Sequence, residues 1–173
     1  MEKYLGKIRI DGKMTISDPC YEPGTWCALE VKVAPGWYKC FADVKNKGAW
    51  GTRICSLSAI REDYADDVES LDWTSPCSVG VDSGQMGIYD TDYFKENQPD
   101  DEWENPDSWY RRVCALTYDK EGKRFEADII DGMGCVSSSG YGDGGYDVIT
   151  YVTNDYIVGA RVEFIYDDAT EID

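Results

Sequence analysis

The residues best placed to do chemistry fall in two glycine-rich stretches, Val79-Gly-Val-Asp-Ser-Gly-Gln-Met-Gly-Ile-Tyr-Asp90 and Ser137-Ser-Ser-Gly-Tyr-Gly-Asp-Gly-Gly-Tyr146. Glycine lets backbone amides approach a ligand closely or take positive φ, and the interleaved aspartates supply fixed acceptors beside those amides. If the two stretches meet in the fold, they form one ligand-binding set. Its members are Asp82, Ser83, Gln85 and Asp90 from the first, and Ser139, Gly140, Tyr141, Gly142, Asp143, Gly144 and Tyr146 from the second. The amides of Gly140, Gly142 and Gly144 would offer donors, with Asp82 and Asp143 orienting them or a ligand. Tyrosine beside small residues adds rigid area and a hydroxyl at little entropic cost.

Several chemistries are excluded or weakened. The chain has no histidine, so triads and metal sites that need an imidazole are absent from it. Gly140-Tyr-Gly-Asp-Gly-Gly145 satisfies a dinucleotide-binding pattern, but a strand-forming run follows where that site needs a helix N-terminus. Asp90-Thr-Asp92 starts like a calcium loop, yet Phe94 takes the third ligand place and Lys95 the place of the required glycine. An oxygen-rich cation site or a carboxylate hydrolase built from Asp82, Asp90 and Asp143 stays open as an alternative. Against both, aspartates in turns usually bond their own backbone amides. Ser83 and Ser139 lack a base, and an acidic chain offers little to activate Cys77 or Cys135. No catalytic residue, metal ligand or cofactor is therefore assigned.

The 173 residues fit a single β-rich domain, 1–173, able to bury roughly 70% of its unfolded surface. Acidic residues number 34 against 17 basic, a net charge of −17, which opposes binding to nucleic-acid phosphates and anionic membranes while favouring a basic protein partner. The seven cysteines include no C-x-x-C pair, the first residues lack an apolar leader core, and no apolar run reaches membrane-spanning length. Reduced thiols in a cytoplasmic protein are expected.

Strands are expected at Tyr4 to Ile10 and Met14 to Ile16, as a hairpin around Asp11-Gly12. A three-strand meander is expected over Trp26 to Val33, Trp37 to Val44 and Gly51 to Ile60. Arg61 to Asp72 reads as a short exposed helix or a loop. Cys77 to Asp82 reads as a buried strand that Met86 to Tyr89 continues beyond Gly84, followed by a helical turn at Thr91 to Glu96 and an acidic loop from Gln98 to Asp107. A helix from Trp109 competes with a strand over Val113 to Tyr118. Phe125 to Ile130, Cys135 to Ser138, Asp147 to Thr153 and Ile157 to Tyr166 read as strands, the last two forming a hairpin turned at Asn154-Asp155. Asp167 to Asp173 reads as a frayed acidic tail. The fold class is mostly β, an antiparallel β-sandwich or flattened barrel of about eight to ten strands with one or two short helices.

The order Gly80-Val81-Asp82-x-Gly84, then Ser139-Gly140-Tyr141-Gly142-Asp143-Gly144-x-Tyr146, resembles the bacterial family catalogued as domain of unknown function 4241. Asp18-Pro19 and the Pro35-Gly36-Trp37-Tyr38 turn are similar to the same family's upstream pattern, with Tyr141 standing where tryptophan is frequent. The resemblance implies a bacterial or phage protein and a fold, and no activity. The expected function is non-enzymatic binding of a small, nucleotide-like molecule at the Gly/Asp/Tyr-rich site, in phage or bacterial conflict. An acidic immunity or inhibitor protein binding a basic partner, and a carboxylate hydrolase, are the alternatives. Partners are thus a small molecule or a basic protein, with no nucleic acid and no membrane, and self-association into a homo-oligomer is compatible.

Overall fold

The computed structural model describes residues 2–97, 104–118 and 126–166, and its chain forms two antiparallel sheets packed as a sandwich. Among the described residues eleven strands appear, slightly more than the sequence suggests: β1 (Glu2–Ile10), β2 (Lys13–Ser17), β3 (Leu29–Lys32), β4 (Gly36–Asn46), β5 (Thr52–Arg61), β6 (Asp72–Val81), β7 (Gln85–Asp90), β8 (Ala127–Ile130), β9 (Gly134–Ser138), β10 (Gly144–Thr153) and β11 (Tyr156–Glu163). Helices α1 (Thr91–Glu96) and α2 (Trp109–Thr117) complete the main elements. The six-stranded sheet runs β1-β4-β5-β11-β10-β6, and the five-stranded sheet β3-β2-β7-β9-β8.

Period-two alternation builds the core. Tyr38, Cys40 and Ala42 on β4 and Ala160 and Val162 on β11 face Met14, Ile16, Met86, Ile88 and Cys135 of the other sheet. Each of the larger aliphatic side chains, Met14, Ile16, Met86, Ile88 and Val162, contributes about 1.5–3 kcal/mol by leaving water. A second cluster lies on the outer face of the five-stranded sheet, where α1 and α2 cover Tyr89, Ile130 and Val136 with Tyr93, Phe94, Trp109 and Val113. Glycines make room there. A Cβ at Gly87 would sit 2.0 Å from the Tyr89 hydroxyl oxygen, and one at Gly134 would sit 2.6 Å from the Tyr89 ring.

Two expected local turns, and one expected strand continuation beyond Gly84, turn out to be passages between the sheets. β1 pairs with β4, and β2 with β3 and β7, so Asp11-Gly12 turns a corner rather than closing a hairpin. Gly12 takes φ 90 at that corner. Ala34-Pro35-Gly36 likewise carries the chain from β3 in one sheet to β4 in the other, which reduces the expected meander to the β4–β5 hairpin. Ser83-Gly84 does the same between β6 and β7. The physical reason is that one turn chemistry serves both purposes, and only distant pairing decides which sheet receives the next strand.

Other expectations hold in detail. Asn154 and Asp155 take φ 49 and 67 between paired Thr153 and Tyr156, the type I′ geometry that matches strand twist. Val158, Ala160, Val162 and Phe164 are all buried. Residues 65–70 form a 3₁₀ turn with no buried member. At 109–117 the helix prevails over the strand, because its Trp109 and Val113, one turn apart, both reach the second cluster. Among the described residues no helix is long and apolar enough to cross a membrane. Residues 98–103 of the expected acidic loop, Phe125 and the tail 167–173 lie outside the described residues.

This topology determines where the glycine stretches meet. β6 neighbours β10 in one sheet, and β7 neighbours β9 in the other. The stretches that link β6 to β7 and β9 to β10 must therefore cross between the sheets side by side. Pairing of Val81 with Gly144 and of Gln85 with Ser138 marks the two ends of this double crossing. Between them, the Ser139 amide donates to the Gly84 carbonyl at 3.0 Å.

Candidate functional site

The first crossing is held by a residue outside both glycine stretches. Asp18 follows β2 and is fully buried. One carboxylate oxygen accepts from the Asp82 and Ser83 amides, both at 2.9 Å. The other accepts from the Cys20 amide and the Ser83 hydroxyl, both at 2.8 Å. Two successive amides converging on one anion form a nest, and here the anion is internal. Gly84, at φ 73, lets the chain turn away into β7. Burial together with the Asp18 charge pushes the neighbouring Cys20 thiol up to about 12, so it stays neutral and poorly nucleophilic.

The second crossing closes on itself. The Gly142 amide donates to the Ser139 carbonyl at 2.8 Å, while the Ser139 hydroxyl donates to the Gly142 carbonyl at 3.0 Å. Tyr146 packs edge-on against Phe164, and its hydroxyl donates to the carbonyls of Gly142 and Ser139. At Gly140 the φ is 56, and a Cβ would fall 2.9 Å from that of Phe164. No larger residue fits there without movement. Tyr141 points the other way, 53% exposed.

Beside the double crossing the loop 18–28 folds back and leaves an open hollow of about 540 Å³. Its floor is Gly80 and Val81 of β6 with Gly144 of β10, and its rim carries Asp82 and Asp143. Tyr21, Thr25, Trp26 and Cys27 form the opposite wall. The Tyr21 hydroxyl donates to Asp82 at 2.9 Å. Burial, then the neighbouring Cys27 and Asp82, raises that phenol well above its ordinary range, so it remains a donor. The Trp26 indole is 93% exposed at the rim. Among the described residues no lysine or arginine lines the hollow. The Gly80 amide, which would otherwise face outward from the edge strand, donates to the Cys27 carbonyl at 2.8 Å.

Of the residues singled out by sequence, Asp82, Asp143 and Gly144 line the hollow, and Ser83, Ser139, Gly140, Gly142 and Tyr146 shape the crossings behind it. Gly142, expected to offer its amide to a ligand, spends it on Ser139. Two residues are not brought together with the rest. Asp90 lies at the other end of β7, about 17 Å along the strand from Gln85 at ordinary strand rise. There its carboxylate is buried, accepting from the Tyr93 amide as the cap of α1 and from the Asp11 amide at the opposite corner. The three-carboxylate set Asp82, Asp90 and Asp143 therefore does not form. Gln85 points under α2, where its amide nitrogen donates to Thr117 at 2.8 Å.

Asp18, Tyr21 and Trp26 are the site residues that the glycine pattern misses. Asp18 carries a local signal, since its bond to the amide two residues on is an ordinary aspartate turn. Its reach to residues 82 and 83 has no local signal. Among the described residues no group of three Cys, Asp or Glu side chains is arranged to hold a metal ion. Comparison with family models, curated proteins and solved structures finds no match, which leaves the site to be read from its own residues.

Proposed function

We propose that the protein is a non-enzymatic binding protein whose hollow receives a cationic group carried by a basic protein partner, as an immunity or inhibitor protein would. One observation carries this reading: Asp82 and Asp143 stand together on the rim of a hollow lined by no basic residue, with an exposed indole beside them. Both carboxylates border the same hollow just beyond the Val81–Gly144 pair, and like charges gathered there favour a cation between them. Indole and phenol faces attract cations as well. The chain's net charge of −17 steers a basic partner toward the surface.

The nucleotide-like ligand expected from the glycine pattern finds less support. Of the three glycine amides expected to donate to it, that of Gly142 is spent on the Ser139 carbonyl, and the neighbouring amides of residues 82 and 83 already close on the Asp18 carboxylate. Resemblance to the domain of unknown function 4241 family stands alongside as a proposal on the two motifs, both of which serve here as sheet-to-sheet crossings.

The test is calorimetric titration with an octa-arginine peptide across a series of salt concentrations. Binding should weaken steeply as salt rises, and Asp143→Asn, at an exposed position, should cost about 1 kcal/mol, roughly fivefold in affinity. Tighter binding of adenosine monophosphate than of the peptide, or indifference to both salt and Asp143→Asn, would overturn the proposal.

A further inference from the structure

Resting on the cationic-hollow reading, we infer that the aromatic pair Trp50–Tyr141, its rings tilted against each other, is the second half of the same surface, and that the partner sets an apolar side chain on it beside the cation it places in the hollow. Trp50 ends the 3₁₀ turn between β4 and β5 and is 66% exposed. Its ring centre lies 5.6 Å from that of Tyr141. Arg53 locks the pair: its Nε donates to the Trp50 carbonyl at 2.8 Å, one Nη reaches the Gly140 carbonyl at 3.4 Å, and its guanidinium stands 5.8 Å from the Tyr141 ring centre. Two large rings are thus held at the surface before any partner arrives, which lowers the ordering cost that an aromatic anchor otherwise incurs on binding.

Position makes this pair the relevant one. Tyr141 is two residues from Asp143, so their Cα atoms lie within about 7 Å. Two other exposed aromatics are placed away from it: Trp37 has Lys7 over its ring, and Tyr4 packs at a tilt against Phe41, both on the β1–β4 edge. The second crossing therefore carries a carboxylate toward the hollow and an aromatic ring toward Trp50. A free polyamine can neutralise Asp82 and Asp143 but leaves the rings bare. A protein surface that alternates basic and apolar side chains satisfies both, and the acidity of the whole chain favours such a basic partner.

The experiment compares two peptides with the same eight arginines, one alternating them with leucine and the other with serine. Wild-type protein should bind the leucine peptide at least about tenfold more tightly than the serine peptide. Trp50→Ala and Tyr141→Ala should each remove that advantage, and Asp143→Asn should weaken both peptides alike. Circular dichroism of each variant confirms folding, since both rings sit in surface loops. Equal binding of the two peptides, or a leucine advantage that survives Trp50→Ala, overturns the aromatic contact and leaves the cationic hollow standing. Failure of both peptides to bind overturns the hollow, and this inference with it.

Discussion

Asp18→Ala is the sharpest perturbation available, because it removes one buried carboxylate that gathers four donors: the amides of Cys20, Asp82 and Ser83 and the Ser83 hydroxyl. Hydrogen bonds to a charged group contribute about 1.5–3 kcal/mol each, and a buried donor left without a partner costs about 1–3 kcal/mol. Water entering the vacated space offsets part of this, so a net loss of about 3–5 kcal/mol is expected, the range for breaking a buried charged network. For a chain of this length that corresponds to roughly 8–15 °C in melting temperature. Urea denaturation should show a lowered midpoint with an unchanged slope, since the same surface is exposed on unfolding. Acetate, a free carboxylate small enough to enter the empty nest, should recover part of the loss in the variant and none in the wild type. A loss under about 1 kcal/mol, smaller than one typical bond to a charged group, would refute the claim that an internal anion organises the crossing. Absence of any acetate effect would refute the nest as an anion site.

Two further outcomes follow from packing and charge. Gly87→Ala should cost about 1–3 kcal/mol by overpacking Tyr89, and in a Tyr89→Leu background most of that cost should vanish; an undiminished cost in the double variant would show that the ring is not the obstacle. The Tyr93 hydroxyl, and then Arg112, hold the Asp131 carboxyl below its ordinary value of 3.8. Its contribution is complete above that value and is lost as the pH falls through the lower folded value. Because the carboxylate is half exposed, Asp131→Asn should cost no more than about 1 kcal/mol near neutral pH and should flatten the acid side of the stability–pH curve, read by thermal melts. An unchanged acid limb would contradict the assignment.

Strands and their faces are legible in this sequence because alternation is a local property: Val158, Ala160, Val162 and Phe164 declare their buried side without knowledge of any partner. The Asn154-Asp155 turn is legible for the same reason, since both residues tolerate positive φ. What local chemistry cannot show is which sheet receives a strand. Asp11-Gly12 and Ala34-Pro35-Gly36 read as local turns, and Ser83-Gly84 as a point within one strand, yet all three carry the chain between layers. Meeting of the two glycine stretches was foreseeable in kind but not in cause, for it arises from two adjacent strand pairs. Asp90 illustrates the opposite error. Beside a glycine run it resembles a ligand acceptor, yet its position just before Thr91 makes it a helix cap, a role its side chain performs equally well. Asp18 was hidden because its most important partners lie more than sixty residues away.

The outer margin of β6 has a consequence for handling the protein. Going along that strand, Pro76 brings no N–H, the Gly80 N–H is taken by Cys27, and the Asp82 N–H by Asp18. The segment from Asp18 to Ala28 therefore works as a stopper along an otherwise sticky border. A protease nick near Pro23-Gly24 would loosen that cover and leave the Gly80 and Asp82 amides open to pairing with another strand.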